Sequence, residues 1–300
     1  MLRKFIITVI SILAMLLKVV DSKAENNFMW ELQNGDTKMY LLGSIHLMPE
    51  DTYPLDEKIK SCFEKADVLA IEADPTKIDQ TKVQQLIQAN GLYPPGETLK
   101  ANIDSVLYKK VEAVFTSFGM PMQQINMYKP WFVSLNLEML EIQKTKLDTK
   151  LGIDMHFINQ ANEKDLEIIE LESGIGQIEM LVDFPEESQV QYLEYTLENY
   201  ENVHELFDTM ITAWKTGDAD LMNKATKKKM LDFCKTMPGL EEYYEKLFLQ
   251  RDNKIVEKLD NMLKSNEKKT YFVVVGAGHL IGEDGLLQLL KSRGYKAKQL

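Results

Sequence analysis

Apolar residues along this chain fall into short runs near both ends and into helical spacings through the middle. Phe28 to Gln33 and Lys38 to Leu42 are two apolar-rich runs separated by Asn34-Gly35-Asp36. Asn-Gly between such runs signals a β-hairpin. Pro49 and Pro54 bracket a loop, and Leu55 to Ala66 predicts a helix with Leu55, Ile59, Cys62 and Phe63 on one face. Val68 to Ile71 has the pattern of a short buried strand, with Glu72 directly after it. From Asp79 to about Phe118 the spacing is helical, broken at Pro94-Pro95-Gly96. Helices are expected over 130–146 and 153–162, a strand over 166–171, a long acidic amphipathic stretch over 185–216, and helices over 218–235 and 239–264. At the C-terminal end, Thr270 to Val275 is a β-branched and aromatic strand. A glycine turn, Gly276-Ala277-Gly278-His279, leads from it to a helix from Gly282 to Arg293, stopped by Gly294, and a closing strand from Tyr295 to Leu300.

Strands alternating with helices at both ends predict an α/β protein. Its central mixed sheet would be built from both chain ends and flanked by helices. A large, mostly helical middle region, residues 79–265, would form an insertion or cap. No repeat of solenoid period is present.

The first residues change the picture of where the chain works. Arg3 and Lys4 precede an apolar run from Phe5 to Leu17, which Lys18 and Asp21 end, and Ser22-Lys23-Ala24 offers small residues for cleavage. This is the layout of a secretory signal peptide over residues 1–24, and the run is short for a membrane span of roughly 18–20 residues. The expected localisation is therefore exported, periplasmic or secreted, with residues 25–300 as a single domain. The whole chain carries −11 at neutral pH; the leader contributes +3, so the mature chain would carry −14. Such a surface repels nucleic acid and anionic lipid and favours solubility and cationic ligands or metal ions. Cys62 and Cys234 are too far apart in sequence for a zinc ribbon and read as two buried thiols, although export would permit a disulfide.

The sharpest chemical feature is a pair of Gly-x-x-His motifs, Gly43-Ser44-Ile45-His46 and Gly276-Ala277-Gly278-His279, each following an apolar strand. Residues at the carboxyl ends of strands in an α/β sheet face a common crevice. Glycine there allows a tight turn and a close approach to a ligand. An imidazole so placed serves as a metal ligand or a general base, or is only a hydrogen-bonded turn residue. The chain has four histidines, so two in matching settings weigh against coincidence. Glu72 ends a third strand and would point at the same crevice, or be a solvated loop acid; Asp74 follows it. Two histidines with one or two carboxylates suit a divalent transition metal ion, with manganese, cobalt or zinc fitting the donors. Glu283 and Asp284 read as first-turn acids that complement a helix dipole. His156 and His204, on amphipathic helices, read as structural or surface residues. Gly276-x-Gly278-x-x-x-Gly282 imitates a dinucleotide fingerprint, but only 18 residues follow Gly282, too few for the next crossover and an acidic ribose partner. No Walker A sequence and no Gly-x-Ser-x-Gly elbow is present.

These motifs resemble the TraB/GumN family. The stretch from Tyr40 to Leu47, with Tyr53-Pro54-Leu55 after it, is similar to the family's opening, and Asp67 to Asp74 to its second block. Lys129-Pro130-Trp131, Gly152-Ile153-Asp154 and Glu170-Leu171-Glu172-Ser173 resemble looser middle landmarks. Val274 to Leu280, then Gly282 to Leu286 and Gly294-Tyr295, resemble the closing block. The resemblance implies a fold related to the Tiki-type metalloproteases and to erythromycin-esterase-like and ChaN-like proteins. It also implies that His46, His279 and Glu72 belong to a metal-dependent peptidase site. Arg251-Asp252 matches the position of the family's Arg-Asn or Arg-Asp pair, which would make Arg251 a further catalytic residue. The expected function is an exported metal-dependent hydrolase acting on a peptide or protein substrate. The alternative is a non-catalytic ligand- or partner-binding member of the same fold.

The leader predicts a mature chain beginning near Glu25. N-terminal sequencing of the native protein checks it; a soluble cytoplasmic pool that keeps Met1 would contradict it.

Overall fold

The computed structural model describes residues 26–265 and 267–300; the expected leader lies outside the described residues. Six strands form one mixed sheet: β1 (Met29–Asn34), β2 (Thr37–Ser44), β3 (Val68–Ile71), β4 (Glu167–Glu170), β5 (Thr270–Gly276) and β6 (Lys298–Gln299), in the order β4-β3-β5-β2-β1-β6. β1 and β2 form the expected antiparallel hairpin, with Asn34 paired to Thr37 across a two-residue loop. β5, from the far end of the chain, lies parallel between β2 and β3, with Leu41 opposite Val273 and Ala70 opposite the same residue on the other side. β4 adds to β3 in parallel, so four neighbouring strands end at one edge of the sheet. All four residues of β3 and five of the seven in β5 are buried, as continuous apolar runs in a covered parallel sheet should be.

The main helices are α1 (Glu57–Phe63), α2 (Gln80–Asn90), α3 (Ser105–Ser117), α4 (Pro130–Ile142), α5 (Ile153–Glu163), α6 (Gly174–Val182), α7 (Glu186–Asn199) and α8 (Val203–Thr216). Two longer runs follow. In α9, Ala219–Asn223 continues through a π-helical turn, Lys224–Lys228, into Lys229–Cys234. In α10, Gly239–Tyr244 continues through a second π-helical turn, Glu245–Leu249, into Gln250–Lys264. The last helix, α11, is Leu286–Ser292. Asp56, Asp79, Asp104 and Ser173 cap α1, α2, α3 and α6 by accepting first-turn amide hydrogens.

The main core surrounds the sheet. Phe63 of α1, Phe157 of α5 and Phe272 of β5 meet with ring centroids 4.8 to 5.3 Å apart. Ile255, Val256, Leu259 and Leu263 of α10 are buried in the same core, and α10 also packs against α11. Two further apolar clusters are built mainly from helices, one around Phe115, Val133 and Leu137, the other around Phe184, Met230 and Tyr243. The middle of the chain is thus mostly helical, as its spacing predicts, with β4 extending the sheet. Cys62 and Cys234 are buried free thiols in different clusters. Among the described residues no helix is long and apolar enough to cross a membrane.

Three local expectations change. Gly276 to His279 is not an open glycine turn: β5 runs to Gly276 and Ala277–Leu280 forms one helical turn. The last helix begins at Leu286, not Gly282, so Glu283 and Asp284 are not its first-turn acids. Asp284 is drawn instead toward Lys227 and Tyr244. Gly43 lies inside β2 and serves packing rather than turning. A Cβ there would come within 2.4 Å of the Phe28 ring, and the indole of Trp214 donates to the Gly43 carbonyl at 2.6 Å.

Gly43→Ala should therefore destabilise the fold by about 1–3 kcal/mol through overpacking against Phe28. Urea unfolding measures it; an unshifted midpoint would mean that the ring yields without cost.

Candidate active site

The four parallel strands deliver their following residues to one crevice. His46 comes two residues after β2, Glu72 directly after β3, Glu172 two residues after β4, and His279 three residues after β5. The ladder enforces this, because parallel neighbours in register end together. Backbone bonds extend the order past the strands: Glu72 N–H donates to the Val274 carbonyl at 3.1 Å, and Glu172 N–H to the Glu72 carbonyl at 2.7 Å.

Glu72 is buried at the centre. Its Oε1 accepts from Arg251 Nη2 and, at 2.8 Å, from Gln177 Nε2 of α6. Its Oε2 accepts from the Gly276 N–H at 2.9 Å. Burial alone would resist ionisation. Electrostatic attraction from His279, Arg251 and His46, with the Gly276 amide, outweighs it and holds the carboxyl down to about 2. Gly276 is small for a reason: a Cβ there would lie 3.2 Å from both Glu72 Oε2 and His279 Cδ2, and 4.0 Å from His279 Nε2. The carboxylate and the imidazole edge therefore stand side by side.

Arg251 and Asp252 open the final α-helical part of α10. Consecutive helix positions differ by about 100°, so the two side chains reach different parts of the crevice. Arg251 Nε donates to both Glu172 oxygens at 3.1 and 2.9 Å, Nη2 reaches Glu72 and Glu172, and Nη1 donates to the Leu247 carbonyl at 3.3 Å. One guanidinium thus spans two carboxylates. Asp252, fully buried, places Oδ1 2.5 Å from His279 Nδ1.

His46 is more open, with 62% of its side-chain surface exposed. Its Nδ1 lies 3.2 Å from Asp154 Oδ1, a buried oxygen with no hydrogen bond made to it. Asp154 stands in the first turn of α5, whose start packs against the His46 backbone: a Cβ on Gly152 would lie 2.5 Å from the His46 carbonyl oxygen. Asp154, aided by Glu72, raises the affinity of His46 for its proton.

Two cavities adjoin these residues. One of about 350 Å³ is lined by His46, Glu72, Asp154 and Gln177; the other, of about 830 Å³, is lined by Arg251, Glu172, Gln177 and Lys254. Gln177 separates them, donating to Glu72 and, at 3.3 Å, to Glu172. Among the described residues no three His, Cys, Asp or Glu side chains are grouped as a ready set of metal ligands.

The structure therefore joins Glu72 and Arg251 in one network, with His279 beside it across Gly276 and His46 at its open side. Asp74 turns away: it caps Pro75–Lys77 by accepting from Thr76 and pairs with Lys77. His156 packs against Tyr53 and Phe157. Sequence reading gave no chemical role to Glu172, Gln177, Asp154 or Asp252. For Glu172 there was a signal, an acid just past a strand as Glu72 is; for Gln177 there was none.

YbaP, an uncharacterized protein of Escherichia coli K12, is 26% identical over 257 residues, covering 86% of this chain and 89% of that protein. An uncharacterized protein of Treponema pallidum is 21% identical over 270 residues, covering 88% and 80%. The metalloprotease TIKI1 of Danio rerio is 22% identical over 317 residues, covering 91% of this chain and 63% of that protein. No solved structure matches. The profile of the TraB/PrgY/gumN family matches residues 28–299, nearly the whole described chain, and the protein belongs to that family.

Proposed function

We propose that this chain is an exported metal-dependent hydrolase, most simply a peptidase, working at the crevice of His46, Glu72 and His279. One observation carries the reading: His279 meets the buried Asp252 through Nδ1 at 2.5 Å, and His46 turns its Nδ1 toward the buried Asp154 at 3.2 Å. Metal-binding histidines are typically backed in this way, because the carboxylate fixes the ring and raises its basicity while the other nitrogen faces the ion. The donor set of two imidazoles and a carboxylate fits a divalent transition ion, and the exposed His46 side chain has room to turn toward the crevice. An ion bound there supplies an activated water and polarises the scissile carbonyl.

The chain's own groups do the rest. Glu72 holds its charge and is aimed by Arg251, Gln177 and the Gly276 amide. Arg251 acts here as a positioning residue, since its donors are already divided among Glu72, Glu172 and Leu247. Two carboxylates sharing one guanidinium leave a surplus negative charge, which favours a cation nearby. The peptidase reading takes support from the likeness to the metalloprotease TIKI1 of Danio rerio. A second reading has its own observation: both Glu72 oxygens are already engaged, as in a structural ion-pair network, which favours a non-catalytic binding protein.

Elemental analysis of the full chain and a peptide-library cleavage assay separate these. His46→Ala and His279→Ala should each remove most metal and all cleavage while the fold survives. Glu72→Gln should lower turnover by about 10²–10⁴-fold if Glu72 acts on protons, and lower metal content if it is a ligand. Arg251→Ala should keep metal, because a guanidinium is no ligand, but lose about 3–5 kcal/mol of stability by stranding two buried carboxylates. A wild type that takes up no divalent metal and cleaves nothing hands the site to the binding reading.

A further inference from the structure

The carboxylate behind His279 is itself held from behind. Asp252 Oδ2 accepts from Lys227 Nζ at 3.0 Å, and Lys227 is 1% exposed. The same ammonium donates to Asp284 Oδ1 at 3.0 Å and stands 5.0 Å from the centroid of the Phe248 ring. Asp284 also receives the Tyr244 hydroxyl. Lys227 comes from the π-helical turn of α9 and Phe248 from that of α10, and such turns concentrate at functional sites. Chemistry restricts what this chain of contacts permits. An ammonium has only donors, so the atom of residue 252 that faces it must accept. The other atom of Asp252 is also an acceptor, so His279 must meet it with a protonated nitrogen.

We propose that Lys227, acting through Asp252, keeps a proton on Nδ1 of His279 and so reserves Nε2, the nitrogen near Glu72, for the metal. Lys227 and Asp252 are then positioning residues and His279 is the group that touches the ligand. The inference deepens the metal-site reading and rests on it only for the identity of that ligand. The demand on the tautomer shows when the atom that faces Nδ1 is changed from an acceptor to a donor. Asparagine at 252 has one acceptor and one donor end, and the ammonium claims the acceptor. The amide NH2 then faces Nδ1, which must give up its proton, and the neutral ring carries it on Nε2 instead.

The test is nitrogen–proton correlation spectroscopy of the full chain with isotope-labelled histidine, alone and with Zn2+, together with Zn2+ titration. The His279 signals are assigned by their loss in His279→Ala. In the wild type the proton should sit on Nδ1, with Zn2+ at Nε2. In Asp252→Asn the proton should move to Nε2, and Zn2+ affinity should fall about 10–100-fold. In the double variant Asp252→Asn, Lys227→Met the amide is free to turn its carbonyl to Nδ1, so the proton should return there and affinity should recover. A wild-type ring with no proton on Nδ1 overturns the proposal without any variant. Asp252→Asn that keeps the proton on Nδ1 overturns it as well. If the wild type binds no Zn2+, the metal-site reading fails, while proton placement in the metal-free protein still decides this proposal.

Discussion

Everything at the crevice depends on the parallel ladder between β2 and β5. It joins residues more than two hundred positions apart, and it fixes where each strand stops. Because β5 also pairs with β3, its end falls between those of β2 and β3, and His279 lands beside Glu72 with no local sequence cause. The ladder is closed on both sides and buried, so a one-residue slip would invert the faces of an apolar strand. That cost makes the site's outline rigid, even though His46 at its margin is open to solvent.

Around this frame the protein buries more charge than apolar packing alone would tolerate. Glu72, Glu172 and Arg251 form one cluster; His279, Asp252, Lys227 and Asp284 form another. The clusters touch through neighbours: Arg251 and Asp252 are consecutive, and Glu72 and His279 flank Gly276. Buried ion pairs seldom add net stability over apolar replacements, yet losing one partner is costly. Their accumulation at one edge of the sheet is what a preorganised polar site requires.

Much of this frame was legible in the sequence because it is encoded locally. The hairpin, β3 and β5 are short apolar or alternating runs with turn residues beside them, and Glu72 and His279 follow directly from where those runs stop. The family motifs then marked Arg251. The supporting residues were hidden by position. Asp252 lies in the middle of a long helix among other charged residues, and Asp154 sits in the first turn of a helix, where an acid already has an ordinary electrostatic reason to be. Asp284 invited the same reading and proved to be the partner of a lysine 57 positions away. Lys227 lies in a lysine-rich stretch, Lys227-Lys228-Lys229, that reads as solvated surface, and only the tertiary fold turns one of the three inward. Gly43 and Gly276 advertised turns, while what they provide is room for Phe28 in one case and for Glu72 and His279 in the other.

The two π-helical turns set the register of this helix pair. A π turn holds one residue more than the α-helix around it and makes poorer contacts for its length, so the helix would gain by losing that residue. Removing one position from 245–249 would let α10 relax into a regular helix and rotate every preceding side chain by about 100° relative to Arg251 and Asp252. Phe248 would leave Lys227 and His279. The same excision in 224–228 would swing Lys227 out of the interior. Both helices therefore hold a register that is locally unfavourable but sets Lys227 against Asp252 and Phe248 against His279.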